Sequence, residues 1–156
     1  MSHKPPESIE ELFKRQLNLE NPKGLSPFGD WLGGKLIHYE KGKIIKEYTI
    51  RHEFTNALGT LHGGVIASIL DEIIGANVIS MEFTHLKTTL NLVVDYFYPG
   101  FEGQVLIASA EMIKQGNKIS HLQGELRLKE NNKLMARAIT NMFTTDIPIN
   151  LSRVLG

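Results

Sequence analysis

The chain has 156 residues, enough for one domain with a proper core and too few for two ordinary ones. Hydrophobic residues at 42% and charged residues at 22% are globular proportions, which exclude a disordered tail or a coiled coil. Lys plus Arg (17) balances Asp plus Glu (17), so no global field draws the chain to nucleic acid, and zero Cys removes disulfides, thiolate zinc ligands and thiolate nucleophiles.

The first residues, Met1 to Glu7, hold no apolar signal core, and the apolar runs fall short of the ~18 residues that span a bilayer. The expectation is a cytoplasmic protein with neither a membrane nor a nucleic-acid partner. After the breaker Pro5-Pro6, Ile9, Leu12, Phe13 and Leu17 recur at helical spacing, with Glu7, Glu10 and Glu11 where carboxylates suit a helix start. Residues 21–34 carry two Pro, four Gly and the only Trp, and read as a loop that lays Phe28 and Trp31 on the body. Residues 36–39 and 44–50 flank Glu40-Lys41-Gly42-Lys43 as a hairpin.

Residues 61–80 form one strongly apolar segment, long enough for about five helical turns. Strand-like runs follow at 90–98, 104–114, 119–129 and 134–144, separated by the turns Pro99-Gly100, Gln115-Gly116-Asn117 and Glu130-Asn131-Asn132. A helix this apolar must be enclosed on several sides. The predicted fold is therefore α+β: an antiparallel sheet of about six strands wrapped around one long central helix, with a short extra N-terminal helix. The expected divisions are 1–33 for the N-terminal helix and loop, 34–146 for the main domain and 147–156 for a C-terminal tail.

On a helical wheel, Ile66, Ile69, Leu70, Ile73, Ile74 and Ala76 cover one broad arc, leaving Gly64, Ala67, Ser68, Asp71 and Gly75 on the other sector. Asp71 is thus a carboxylate among residues with almost no side chain, where a backbone or ligand can approach closely. Glu72 sits at the edge of the apolar arc and is the weaker candidate acid. Upstream, His62-Gly63-Gly64 puts two Gly at a helix start, where unpaired N–H groups suit an oxyanion. A lone His there is more often a hydrogen-bonded structural group than a catalyst, and His52, His62 and His85 lie too far apart to read as a metal-ligand motif. No metal or cofactor is expected.

Asn56-x-x-Gly59-x-x-His62-Gly63-Gly64 with Asp71 nine positions after the His resembles the hot-dog-fold acyl-CoA thioesterases, most of all the phenylacetate-degradation and vertebrate thioesterase-superfamily types. The likeness runs from Gly34 to Phe143. It implies a hot-dog domain hydrolysing acyl-CoA thioesters, with Gly63 N–H donating to the thioester carbonyl, Asn56 helping to orient the water or the His-Gly loop, and Asp71 as general base or nucleophile; His62 of that motif is counted with them among the catalytic candidates. Thr89 would help hold the water, with Thr88, on the opposite strand face, as the fallback. Leu61, Gly64 and the turn Gly116-Asn117-Lys118 are the substrate-binding candidates, and Lys114, Lys118 and Arg137 are candidates for the CoA phosphates. The family also implies a homodimer, assembled further into a tetramer as a dimer of dimers.

Gly63 and Asp71 are eight residues apart, about 12 Å along one helix, too far to serve one carbonyl carbon. If both act, they come from different chains. A non-catalytic acyl-CoA sensor on the same fold is the alternative reading. A hydratase ranks last, because the His it would need at position 76 is Ala.

Overall fold

The structure is a computed structural model and describes residues 6–155, so Pro5, half of the expected breaker, lies outside the described residues. Helix α1 spans Ile9–Gln16; Ser8 caps it by accepting from Glu11 N–H, and Glu10 and Glu11 fill its first turn. Its buried Ile9 and Phe13 fix it to the body, with the Phe13 ring stacked on Tyr39 at 4.8 Å.

The stretch read as a loop contains a second helix, α2, at Pro27–Leu32. Ser26 accepts from Gly29 N–H and Pro27 stands in the first turn, a cap-and-proline start that the surrounding glycines obscure. Phe28 and Trp31 remain about half exposed; they stack on each other, and Trp31 meets Phe54 edge-on.

Strands β1 (Lys35–Glu40) and β2 (Lys43–Thr49) form the expected hairpin, and Gly42 takes the positive φ its turn requires. Helix α3 covers Gly63–Ser80, and β3 (His85–Tyr96), β4 (Val105–Lys114), β5 (Ile119–Leu128) and β6 (Leu134–Pro148) follow. All pairings are antiparallel, in the order β1-β2-β4-β5-β6-β3. Two strands outrun their expected limits: β3 begins at His85, and β6 continues past 146 before the last residues turn into the short helix α4 (Leu151–Leu155).

Sheet and helix meet through alternation. Leu106, Ala108 and Ala110 of β4, Leu122, Leu126 and Leu128 of β5, and Ala136 and Ala138 of β6 turn inward and are buried. The helix answers with Ile66, Ile69, Leu70, Ile73, Ile74 and Ala76, the arc expected from the wheel, all of it buried. At Gly124 of β5 the helix comes close: a Cβ there would stand 3.2 Å from Leu70 and 3.4 Å from Ile74. The far end of α3 is fastened by Ser80, whose hydroxyl donates to Asn77 C=O and accepts from Gly42 N–H. By length and composition α3 could span a bilayer, contrary to the expectation that apolar runs are too short for that; half of it is buried inside this fold, as a core helix requires.

The hot-dog arrangement leaves two features free. The small-residue stripe of α3 faces away from the sheet core, and β3, at the sheet edge, pairs among the described residues only with β6.

Candidate active site

The loop before α3 is held by backbone bonds at both ends. Asn56 N–H donates to Thr60 C=O, Leu61 N–H to Gly100 C=O, and His62 N–H to Phe54 C=O. Inside it, Asn56 Oδ1 accepts from Leu58 N–H (2.9 Å) and Thr60 N–H (3.2 Å), while Nδ2 donates to Thr60 Oγ1 (2.8 Å). Asn56 thus shapes the loop through its own side chain. Gly59, φ +75°, is the left-handed residue that closes the turn.

His62 occupies the N-cap of α3, with Nδ1 accepting from Gly64 N–H at 2.8 Å. For a neutral ring this assigns the remaining proton to Nε2. The Gly64 N–H, a substrate-binding candidate, is therefore engaged by the cap. Gly63 N–H, one residue earlier, donates to no acceptor among the described residues. Gly63 C=O accepts from the Tyr96 hydroxyl at 3.2 Å. Tyr96 was not visible as a site residue in the sequence; its only signal was an aromatic cluster, Tyr96-Phe97-Tyr98, ahead of Pro99-Gly100. Leu61 is 4% exposed and gives its side chain to the core.

Asp71 lies two turns along the exposed stripe from Gly63, about 12 Å by helical rise. Partial burial pushes its carboxyl above the ordinary carboxylate range, with no cation to offset it. Glu72 points elsewhere, into a cluster beside Ser26, Gly29 and Lys46: burial raises its carboxyl, Lys46 lowers it, the neighbouring Asp71 raises it again, and the Ser26 hydrogen bond lowers it.

Thr89 is paired across the ladder with buried Met142, so it projects to the helix side of β3; Thr88, paired with Phe143, projects to the opposite face. One turn beyond Asp71, Gly75 opens onto a cavity of about 240 Å³ walled by Val78, Ile79, Leu86, Lys87, Met142 and Val154. A Cβ at Gly75 would meet nothing within 4 Å.

The turn Gly116-Asn117-Lys118 sits at the other end of the sheet from Gly63. Lys118 C=O accepts from Thr144 N–H, its ammonium lies 3.5 Å from Asp146, and Ile119 shares a row with Phe143 and Thr88. Within one chain this turn is therefore not assembled with Gly63, which lies beside Tyr96 at the opposite end of β3. Of the phosphate candidates, Arg137 is committed to Glu125 at 2.7 Å, whereas Lys114 is exposed and pairs with no carboxylate among the described residues. No group of three or more His, Asp or Glu side chains placed to hold a metal occurs among the described residues.

The model of the thioesterase superfamily matches residues 58–135, which contain both Gly63 and Asp71. Human acyl-coenzyme A thioesterase 13 is 30% identical over 102 residues, covering 65% of this chain and 73% of that protein. The medium/long-chain acyl-CoA thioesterase YigI of Escherichia coli K12 is 30% identical over 132 residues, covering 74% and 84%. Among solved structures, zebra fish thioesterase superfamily member 2 shares the fold with a TM-score of 0.73 at 21% identity, covering 92% of this chain and all of that one. The free helix-start N–H, the small-residue stripe with its carboxylate and these matches lead to one assignment: the chain belongs to the thioesterase superfamily, a family of thioester hydrolases.

Proposed function

We propose that this protein hydrolyses acyl-CoA to the free acid and CoA in a site shared between two copies of the chain. The observation that carries the reading is the Gly63 N–H, held unpaired at the first position of α3 while His62 takes up the N–H of Gly64. Such a donor, backed by the helix dipole, suits the negative charge that develops on a thioester oxygen under attack. Asp71 of the second copy takes a proton from water, the water oxygen bonds to the carbonyl carbon, and the C–S bond breaks to release CoA as the thiol once protonated. A carboxyl raised by partial burial is a better base at near-neutral pH than an ordinary one. Thr89, on the helix-facing side of β3, is the group we assign to orient that water, and Asn56 and His62 act by holding Gly63 in place.

The free edge of β3, with Leu90 and Val93 exposed, offers the second copy a strand to pair with. The lysines at and beside the β4–β5 turn, Lys114 and Lys118, are the groups proposed for the CoA phosphates. The test is a set of acyl-CoAs assayed by thiol release with the parent, Asp71→Asn and Glu72→Gln. Asp71→Asn should lose most of kcat with little change in KM, and Glu72→Gln should stay within a small factor of the parent. Equal rates for Asp71→Asn and the parent would end the general-base assignment.

A further inference from the structure

Lys87 is 7% exposed and lines the largely apolar cavity that opens at Gly75. Its side chain runs across the inner face of the sheet from β3. The ammonium donates to Ser120 Oγ on β5 at 3.0 Å and Thr144 Oγ1 on β6 at 2.6 Å, and it stands 4.1 Å from the centre of the Phe83 ring. An ammonium has three N–H donors, and two of them are thus spent. No carboxylate lies within ion-pair distance among the described residues. Glu82, the acid that also borders the cavity, is paired with Lys41 at 2.5 Å.

A buried cation with neutral partners alone carries a desolvation penalty that a counter-charge relieves. Burial accordingly lowers the Lys87 ammonium from its ordinary value, with no charged group acting against that shift. Sheet and helix both connect this cation to the reacting centre. Gly75 follows Asp71 by one turn, about 6 Å, and Lys87 precedes Thr89 by one strand repeat on the same face, about 7 Å. An acyl group whose carbonyl sits at the level of Asp71 and Thr89 therefore extends past the bare face of Gly75 towards the ammonium.

We infer that Lys87 is a specificity residue that selects acyl groups ending in a carboxylate, so that the preferred substrates are CoA half-thioesters of short dicarboxylic acids. This deepens the acyl-CoA hydrolase reading and rests on it. The cavity's apolar walls take the methylenes, and Lys87, steadied by Ser120 and Thr144, takes the terminal carboxylate. A simple fatty acyl chain of the same length would place a methyl group against an ammonium and leave it without a counter-charge.

The experiment compares kcat/KM for two matched pairs, glutaryl-CoA against pentanoyl-CoA and adipyl-CoA against hexanoyl-CoA, in the parent, Lys87→Met and Lys87→Arg. The parent should favour a carboxylated member by about tenfold or more, the size of a charge-assisted hydrogen bond. Lys87→Met should abolish or reverse that ratio, and Lys87→Arg should retain part of it. A merely structural lysine would change all four rates together and leave the ratios untouched. A parent that favours the unsubstituted chains overturns the inference without any variant, as does an unchanged ratio in Lys87→Met. Calorimetric binding of the same pairs to Asp71→Asn separates this inference from the reading beneath it. A preference in binding with no turnover in the parent would sink hydrolysis and keep the Lys87 assignment. Turnover of pentanoyl- and hexanoyl-CoA with no preference would do the reverse, and neither binding nor turnover would overturn both.

Discussion

Replacing Gly63 with Pro deletes one N–H and, by the geometry around it, disturbs little else. That N–H makes no hydrogen bond among the described residues, so no native bond is lost. Proline is favoured at the first position of a helix, and it requires an extended residue before it. His62 has φ −64° and ψ 133°, which meets that requirement. A side chain at position 63 would approach the Tyr96 ring at 3.5 Å, an ordinary contact. Folding stability should therefore change by less than about 1 kcal/mol. The oxyanion donor is worth about 3 kcal/mol in the transition state, so kcat should fall on the order of a hundredfold. Urea unfolding and CoA-release kinetics on the same preparation separate the two effects. Gly64→Pro is the contrasting control, because its N–H is bonded to His62 Nδ1, and it should lose stability as well as rate. A folded Gly63→Pro enzyme with near-normal kcat would place the oxyanion site elsewhere and refute the reasoning.

His62→Ala should cost about 1 kcal/mol of stability as a lost cap, with a smaller fall in kcat than Gly63→Pro; an equal fall would give the imidazole a chemical role. Mixing inactive Asp71→Ala and Gly63→Pro chains under subunit exchange should restore activity, since one of the two sites in each mixed dimer inherits neither defect, and no recovery despite exchange would put the site within one chain. Because burial raises the Asp71 carboxyl and the base must be ionised, kcat/KM should fall as pH drops through a midpoint above the ~3.9 of a free aspartate; a limb at or below that value would point to another group. The same shift has a stability sign. The folded state binds this proton more tightly than the unfolded state, so the ionised form is penalised above the folded pKa and the penalty fades as pH falls below it. Asp71→Asn should consequently be slightly more stable than the parent at pH 7, by less than about 1 kcal/mol for a side chain this exposed, and urea titration at pH 7 and pH 4 would detect the loss of that advantage.

The helix and its apolar arc were legible because a buried helix imposes a 3.6-residue period that no loop imitates, and β4 and β5 because one face of each is buried. The start of β3 was hidden: His85, Lys87, Thr88 and Thr89 are polar, and the bulge between Thr89 and Asn91 breaks the alternation. Helix α2 was hidden by Gly24, Gly29, Gly33 and Gly34, although Ser26-Pro27 was a readable start. At the site, the motif gave positions but not partners. That His62 accepts from Gly64 is a cap geometry the residue types alone do not announce, and that Tyr96 reaches Gly63 depends on a contact between residues far apart in the chain. Lys87 lay in a segment with no periodic signal, and its isolation from carboxylates exists only in three dimensions.

Placing β3 at the edge of the sheet also orders events during synthesis. Its ladder joins His85 to Pro148 and Tyr96 to Ala136, so every one of its backbone bonds waits for the last strand of the chain. The β1–β2 hairpin and the β4–β5 pair can close from neighbouring sequence while β3 still lacks its ladder partner, with Leu86, Leu90 and Val93 uncovered. Ribosome-bound chains truncated before Leu134 should therefore protect β4 and β5 amides from exchange but not those of β3. The strand proposed to join two subunits is thus among the last to be secured within one.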